Sequence, residues 1–178
     1  MWTSLIGFMA SGKSSVTRRL QAATSRPAQS LDAAVCARAG RDIPAIFAAE
    51  GEAGFRALEL ETLRALDPDR PLVLDTGGGV VQTPAAVDLL RQRGVVVWLD
   101  APWETLRARL KESDTDSRPL IARLGWAGVE ELYRNRRRLY AAAADFRLRA
   151  DQGTVDDLAR RVMLRSLQWE RTREEDRR

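Results

Sequence analysis

A glycine-rich stretch near the start of the chain carries the clearest chemical signature. Residues 7–14 read Gly-Phe-Met-Ala-Ser-Gly-Lys-Ser, which satisfies the pattern G-x-x-x-x-G-K-[ST] of a phosphate-binding loop. An apolar segment precedes it and a helix follows, so successive backbone N–H groups can converge on phosphate oxygens. Lys13 is expected to reach the β- and γ-phosphates of ATP, and the Ser14 hydroxyl to ligate Mg²⁺. We predict that the nucleotide is bound by Ala10, Ser11, Gly12, Lys13, Ser14 and Ser15.

A carboxylate and three glycines follow the next predicted strands, where a second ligand could meet the phosphate loop. Asp32 comes after the second strand, and Gly77-Gly78-Gly79 comes after the strand PLVLD. Ligands of open α/β folds bind at such strand ends, and main chain without side chains can approach a ligand closely. The simpler interpretations are that Asp32 only caps the following helix and that the glycines form a flexible turn.

Three arginines could supply positive charge to an acidic acceptor. Arg56 lies three residues before Glu59 on one helix face, Arg136 lies one turn before Tyr140, and Arg118 ends a polar loop. Arginine suits bidentate contacts with carboxylate and phosphate groups. The alternatives are that Arg56 pairs only with nearby acids, that Arg136 belongs to a solvated basic face, and that Arg118 is an idle loop residue.

The composition excludes several classes of function. The 178 residues include no histidine, which excludes imidazole catalysis and histidine metal sites but not a hard cation on hydroxyl and carboxylate oxygens. The net charge is +4, but arginines alternate with Asp and Glu along the chain, which argues against nucleic-acid binding. The single cysteine fits a reducing cytoplasm, and no apolar run approaches the ~20 residues that span a bilayer. We expect a cytoplasmic protein without a membrane or nucleic-acid partner.

Strand-like and helix-like segments alternate along the chain. The expected strands are Thr3–Phe8, Pro27–Leu31, Pro71–Asp75, Gly94–Leu99 and Phe146–Ala150. The expected helices are Ser14–Ala23, Asp32–Ala39, Ile43–Ala49, Gly54–Ala65, Pro84–Arg93, Trp103–Leu110 and one from the capping pair Thr154 and Asp157 to about Leu167. This alternation predicts an α/β fold with helices on both faces of a parallel sheet. The polar segment Lys111–Pro119 is expected to be a mobile loop, and Glu170–Arg178 a frayed end.

In this order and spacing, the segments resemble the shikimate kinase family over about residues 3–150. The matching pieces are GFMASGKS, the aspartate of SLDAAVCARAGRDIPAIF, the block GEAGFRALE, the triple glycine, the RPL loop and the helix RNRRRLYAAAAD. The resemblance implies a P-loop NTPase fold, three-layer α/β/α with a five-stranded parallel sheet. It also implies an acceptor-binding region at about residues 32–62, a lid at about 111–124, and ATP-dependent phosphorylation of the shikimate 3-hydroxyl with Mg²⁺, in aromatic amino-acid biosynthesis.

The same resemblance implies a role for each acceptor-side residue. Asp32 would hold shikimate hydroxyls and orient the attacking one, while Arg56 and Arg136 would clamp the carboxylate. Gly78 would contact the ring substituents through its main chain. Arg118 would move in with the lid to meet the nucleotide and the transferring phosphate. These roles suit phosphoryl transfer, which mainly needs positioning and charge neutralisation.

One acidic position of the family pattern is missing. The family has a D-x-D pair after the second strand, and its first aspartate helps to hold the Mg²⁺ shell; this chain has Ser30-Leu31-Asp32. Asp75 ends the strand PLVLD where the family has a small residue, close to the place of the Walker-B aspartate in other P-loop proteins. We hypothesise that Asp75, together with Ser14, restores the metal site. The alternative is that Asp75 caps the following turn and that metal binding is weaker.

The sequence leaves three functions to distinguish. The first is shikimate phosphorylation by a monomeric domain of residues 1–168, followed by a flexible charged tail at 169–178. The second is another small-molecule P-loop kinase, for example one for gluconate, against which the Arg56 and Arg136 pair counts. The third is a catalytically silent ATP-binding regulatory domain, which is suggested by Ser30 in the place of the family's aspartate. Acceptor-dependent release of ADP distinguishes the three.

Overall fold

Short strands form one parallel sheet in the computed structural model, which describes residues 1–112 and 119–176. The strands among these residues are β1 Trp2–Ile6, β2 Ala28–Ser30, β3 Leu72–Asp75, β4 Gly94–Asp100 and β5 Phe146–Arg149. They lie in the order β2-β3-β1-β4-β5, and every neighbouring pair runs parallel. The predicted α/β fold with a five-stranded parallel sheet is confirmed.

Helices connect the strands in the crossovers that a parallel sheet requires. They are α1 Lys13–Thr24, α2 Leu31–Ala39, α3 Ile43–Ala65, α4 Pro84–Arg93, α5 Trp103–Glu112, α6 Pro119–Ala143 and α7 Val155–Glu175, with a 3₁₀ turn at Val80–Gln82. Helix α1 packs against α7, and α2 packs against α3. The two helices predicted at 43–49 and 54–65 are one element with a kink at Gly51, whose φ of 68° and ψ of −172° interrupt the helical backbone.

The central strands β1 and β4 are buried along their whole length. Such continuous burial is typical of parallel strands that are covered by helices on both faces. Because β1 and β4 are neighbours and β3 lies beside β1, the loops that follow these three strands leave the sheet at the same edge. The phosphate loop and the triple glycine are two of those loops, so the fold brings them together.

The C-terminal helix differs from its prediction. The capping pair is confirmed, because Thr154 and Asp157 form a reciprocal capping box at the start of α7. The helix does not end near Leu167, however, but continues to Glu175. Trp169 packs against the core, and Glu170 pairs with Arg26 at 3.2 Å. The expectation of a frayed segment from 169 onward is therefore wrong up to Glu175.

The region predicted as a lid falls partly outside the described residues. Helix α5 extends through Lys111 and Glu112, so the mobile loop expected from Lys111 begins later than predicted. Residues 119–124 open α6, and 113–118 lie outside the description, Arg118 among them. None of the helices in the described part of the chain is both long enough and apolar enough to cross a membrane.

Candidate active site

The phosphate loop joins β1 to α1 and leaves its hydrogen-bond donors available. Gly12 takes a left-handed conformation at the N-cap of α1, and no side chain caps the helix there. The first N–H groups of α1 thus have no side-chain acceptor and can receive an anion. The Lys13 side chain is buried and folds back along the loop, where its Nζ donates to the carbonyls of Gly7 at 2.9 Å and Phe8 at 3.1 Å.

A cavity of 410 Å³ opens beside this loop. The six phosphate-loop residues predicted to bind the nucleotide all line it, together with Arg109, Ala150 and the start of α7. Arg109 spans the cavity wall, donating to the carbonyls of Ala10 at 3.3 Å and Ala150 at 2.8 Å. Its planar guanidinium is a suitable surface for stacking a nucleobase. The sequence did not single out Arg109, because nothing in its spacing separates it from Arg107, the other arginine of α5.

Lys13 faces two carboxylates across the sheet edge. Burial lowers the pKa of Lys13, while the negative charges of Asp75 and Asp32 act in the opposite direction. Burial also raises the pKa of Asp32, and the charges of Lys13 and Arg56 oppose that rise. Charges therefore act on one another across three segments: the phosphate loop, the end of β3 and the start of α2.

Asp32 does not cap helix α2, so the helix end does not explain its position. Ser30, not Asp32, caps α2, since its Oγ accepts a hydrogen bond from the N–H of Ala33 at 3.3 Å. The Asp32 carboxylate instead lies against the triple glycine, where a Cβ added to Gly77 would come within 2.5 Å of its Oδ1. The same added atom would lie 3.2 Å from Oε1 of Glu59. Gly77 is thus required for the close approach of two carboxylates.

Arg56 lies over the last glycine of the triplet. Its NH1 donates to Oε2 of Glu59 at 2.7 Å, and its NH2 is 3.6 Å from Glu52. A Cβ at Gly79 would lie 1.9 Å from the Arg56 NH2. Arg56 does pair with its acidic neighbours, as the simpler interpretation held, yet its Nε and Oε1 of Glu59 are buried without a hydrogen-bond partner among the described residues. Two unsatisfied buried polar atoms at one place are unfavourable for folding, and a functional role of this site would explain them.

Arg136 is a buried cation without a carboxylate partner in the described part of the chain. It is 8% exposed, and its Nε donates to the amide oxygen of Gln82. Burial lowers the pKa of Arg136. The neighbouring arginines 134, 137 and 138 are exposed, so the solvated basic face is theirs. One turn further on, Tyr140 donates to the carbonyl of Gly78 and joins α6 to the triple glycine.

Two oxygen-bearing side chains meet where a metal could accompany the phosphates. The Ser14 hydroxyl donates to Oδ2 of Asp75 at 2.6 Å, and Asp75 is 8% exposed. Asp75 is also the direct partner of Ser30 in the pairing of β3 with β2. A carboxylate therefore lies one strand away from Ser30. No cluster of three or more His, Cys, Asp or Glu side chains able to hold a metal occurs among the described residues.

Comparison with known proteins assigns this arrangement to a family. A family model described as Shikimate kinase matches residues 9–167. The chain belongs to the shikimate kinase family. A shikimate kinase of Synechococcus sp. (strain RCC307) is 41% identical over 160 residues, which cover 89% of this chain and 80% of the relative. The structure of a shikimate kinase from Acinetobacter baumannii in complex with shikimate matches with a TM-score of 0.82 and 33% identity, over 93% of this chain and 92% of that one.

Membership of the shikimate kinase family confirms the resemblance drawn from the motifs. A gluconokinase from Sinorhizobium meliloti also matches, with a TM-score of 0.57 but only 15% identity. That likeness shows a shared fold and carries no information about the acceptor. The acceptor must be argued from the residues of the site.

The structure brings most of the predicted site residues of this family member to one sheet edge. Around the sheet edge lie the six loop residues, Asp32, Arg56, Asp75, Gly78 and Arg136. Arg118 lies outside the described residues. The sequence missed Arg109 and Gln82, and it treated Glu59 only as a possible partner of Arg56. Gln82 and Arg136 are far apart in the sequence, so no spacing rule could have joined them.

Proposed function

We propose that the protein transfers the γ-phosphoryl group of ATP to the 3-hydroxyl of shikimate, giving ADP and shikimate 3-phosphate. The observation that carries this proposal is Arg136, a buried guanidinium that bonds to the neutral amide of Gln82 and has no carboxylate partner among the described residues. A buried charge without a counter-ion is strongly unfavourable. An acidic acceptor supplies the missing anion, and the acid that gives the family its name has that charge.

The nucleotide half of the reaction uses the phosphate loop and the cavity beside it. The N–H groups at the start of α1 bind the β- and γ-phosphates, and Lys13 neutralises the charge that develops on the transferring group. The phosphates in turn favour the charged form of Lys13, whose pKa burial lowers. Arg109 forms the wall against which the base of the nucleotide stacks.

The acceptor half places a hydroxyl opposite the phosphate. Arg56 and Arg136 hold the carboxylate of shikimate, and the main chain at Gly78 supports the ring. Asp32 accepts a hydrogen bond from the attacking hydroxyl and takes up its proton as the new P–O bond forms. Burial raises the pKa of Asp32, which makes it a better base than an exposed aspartate. In our proposal Arg118 approaches from the lid and contacts the transferring phosphoryl group.

We also propose that Mg²⁺ accompanies ATP and is held by Ser14 and Asp75. When bound, the ion would neutralise phosphate charge. Isothermal titration of ADP with and without Mg²⁺ tests the ligand set without turnover. Asp75→Asn should reduce the Mg²⁺-dependent gain in ADP affinity roughly tenfold, and the double variant Ser30→Asp, Asp75→Ser should recover it. An unchanged gain in Asp75→Asn would leave Asp75 as a turn residue only.

The function itself is tested by a coupled assay of ADP release with shikimate, with gluconate and without acceptor. We expect release that requires shikimate, and shikimate 3-phosphate formed in equal amount. Preference for gluconate would support the broader class of polyol-acid kinases instead. ADP binding without release for any acceptor would support a silent regulatory domain, the interpretation that Ser30 motivated.

The state of the protein in the cell is a separate proposal. We propose a monomer in the cytoplasm, with residues 1–168 as the catalytic domain. A single cysteine, Cys36, is consistent with a reducing compartment. Light scattering at concentrations above and below those of the assay checks the monomer, and a specific activity that rises with protein concentration would oppose it.

A further inference from the structure

Gln82 lies between the two arginines of the proposed acceptor site. It ends the 3₁₀ turn that follows the triple glycine. Its amide oxygen accepts from Nε of Arg136 on α6, and its amide nitrogen donates to Oε1 of Glu52 on α3 at 2.9 Å. Glu52 is in turn 3.6 Å from NH2 of Arg56. One amide therefore connects the two helices that carry the arginines.

The contact with Gln82 determines which nitrogen atoms of Arg136 remain available. A guanidinium has five N–H donors, one on Nε and four on its two terminal nitrogens. Gln82 occupies the donor on Nε. The Tyr140 hydroxyl also interacts with the guanidinium, and the terminal donors that remain can contact a carboxylate. Gln82 is also neutral, so it fixes the direction of the side chain without cancelling its charge.

The bond to Glu52 keeps this arrangement from reversing. An amide could turn its NH₂ group toward Arg136, where two donors would face each other. Because the NH₂ group donates to Glu52, the amide oxygen stays on the side of Arg136. The charge of Glu52 acts on Arg136, but no ion pair joins the two side chains among the described residues.

We propose that Gln82 is a positioning residue that aims Arg136 at the carboxylate of the acceptor and makes the site selective for acids. This inference rests on the proposed function, since it assumes an acidic acceptor at the arginine pair. A glutamate at position 82 would satisfy Nε of Arg136 equally well but would compete with the acceptor for its charge. An aliphatic residue of similar size would remove the hydrogen bond that orients the Arg136 side chain.

The variants Gln82→Leu and Gln82→Glu test the proposal, with Gln92→Leu on the exposed face of α4 as the matched control. We expect Gln82→Leu to raise the KM for shikimate about tenfold, the loss of one hydrogen bond to a charged group, with kcat and the KM for ATP within about threefold of the parent. Gln82→Glu should raise the KM for shikimate further. Titration of shikimate into the ADP-bound protein, where no turnover occurs, should rank the affinities of the variants in the same order. Gln92→Leu should match the parent.

A double-mutant cycle separates positioning from a general effect on folding. If Gln82 acts through Arg136, adding Gln82→Leu to Arg136→Ala should change shikimate affinity by less than about twofold. An equal loss in both backgrounds, or an unchanged affinity in Gln82→Leu, would overturn the inference while shikimate turnover by the parent protein stands. Absence of that turnover in the parent would overturn the proposed function and this inference together.

Discussion

Two charged groups, the buried Arg136 guanidinium and the half-buried Asp32 carboxylate, are central to the proposed chemistry at the scale of single residues. Burial opposes the charged form of each, lowering the pKa of Arg136 and raising that of Asp32. Neither group has been placed where it best stabilises the fold, because each would be more favourable in water. Both face the place where a charged ligand and its reacting hydroxyl would lie.

Replacing Asp32 by asparagine should therefore separate stability from activity. Since its pKa is raised in the folded state, ionisation destabilises the fold above that pKa, and the effect disappears below the unfolded value of 3.8. Asp32→Asn should raise the melting temperature at pH 7, with a difference that narrows as the pH falls toward 4. Activity should fall by about 10² to 10⁴. Asp69→Asn, at an exposed position, is the control; an active Asp32→Asn variant would exclude the proposed base.

Single residues were predictable where one local motif defines them. The phosphate loop, Lys13 and Ser14 followed from eight consecutive positions, because the loop geometry itself imposes that spacing. Arg109 and Gln82 were not predictable from pattern alone. Each acts through partners that are distant in the sequence, Ala150 and Arg136 respectively, and only the folded chain brings them together.

The triple glycine is the element that joins the two halves of the site. It follows β3, and it lies against Asp32 through Gly77, against Tyr140 through Gly78 and against Arg56 through Gly79. A side chain at Gly77 or Gly79 would displace Asp32 or Arg56, whereas a Cβ at Gly78 would make only ordinary contacts. Because the segment has no side chains, Asp32 and Arg56 can lie directly against its main chain.

The variant Gly79→Ala should damage the acceptor site and spare the nucleotide site. The added Cβ would overlap the end of the flexible Arg56 side chain, which can move away without unfolding the protein. We expect the KM for shikimate to rise roughly tenfold with unchanged affinity for ADP. In an Arg56→Ala background the same glycine substitution should have little further effect; an equal effect there would mean that the main chain, not Arg56, is disturbed.

Elements were predicted best where strand and helix periods are clear. The strands that follow the apolar segments appear at the expected places because burial on both faces requires continuous apolar runs. The end of α7 was wrong because charged composition was taken to indicate fraying. The structure shows that the same helix carries Trp169 against the core and Glu170 beside Arg26, and these tertiary contacts outweigh composition.

At the scale of the whole molecule, the last helix connects the C-terminus to the nucleotide side of the sheet. Helix α7 packs along α1, which begins at Lys13. Its start lines the cavity beside the phosphate loop. Beyond the predicted domain end at 168, Trp169 and Glu170 therefore belong to the packed structure, and the exposed last turns of the helix continue to Glu175.

Two truncations measure how much this helix end contributes. Deleting residues 169–178 removes Trp169 and the Arg26–Glu170 pair, and should lower the free energy of unfolding by about 1–2 kcal/mol. Deleting only 171–178 keeps both contacts and should change it by less than about 0.5 kcal/mol. Urea unfolding of the two truncated chains and the full chain gives the values. Equal stability of all three chains would instead support the flexible tail that was predicted from the charged composition.

The central claim is that two arginines recognise the negative charge of the acceptor, and shikimate methyl ester tests it most directly. The ester keeps the ring and its hydroxyls but has no carboxylate charge for Arg56 and Arg136 to hold. We predict that kcat/KM for the ester is roughly 100-fold or more below that for shikimate, and that the difference is smaller in the Arg136→Ala variant, which keeps only Arg56. Equal kcat/KM for acid and ester in the parent protein would contradict the account.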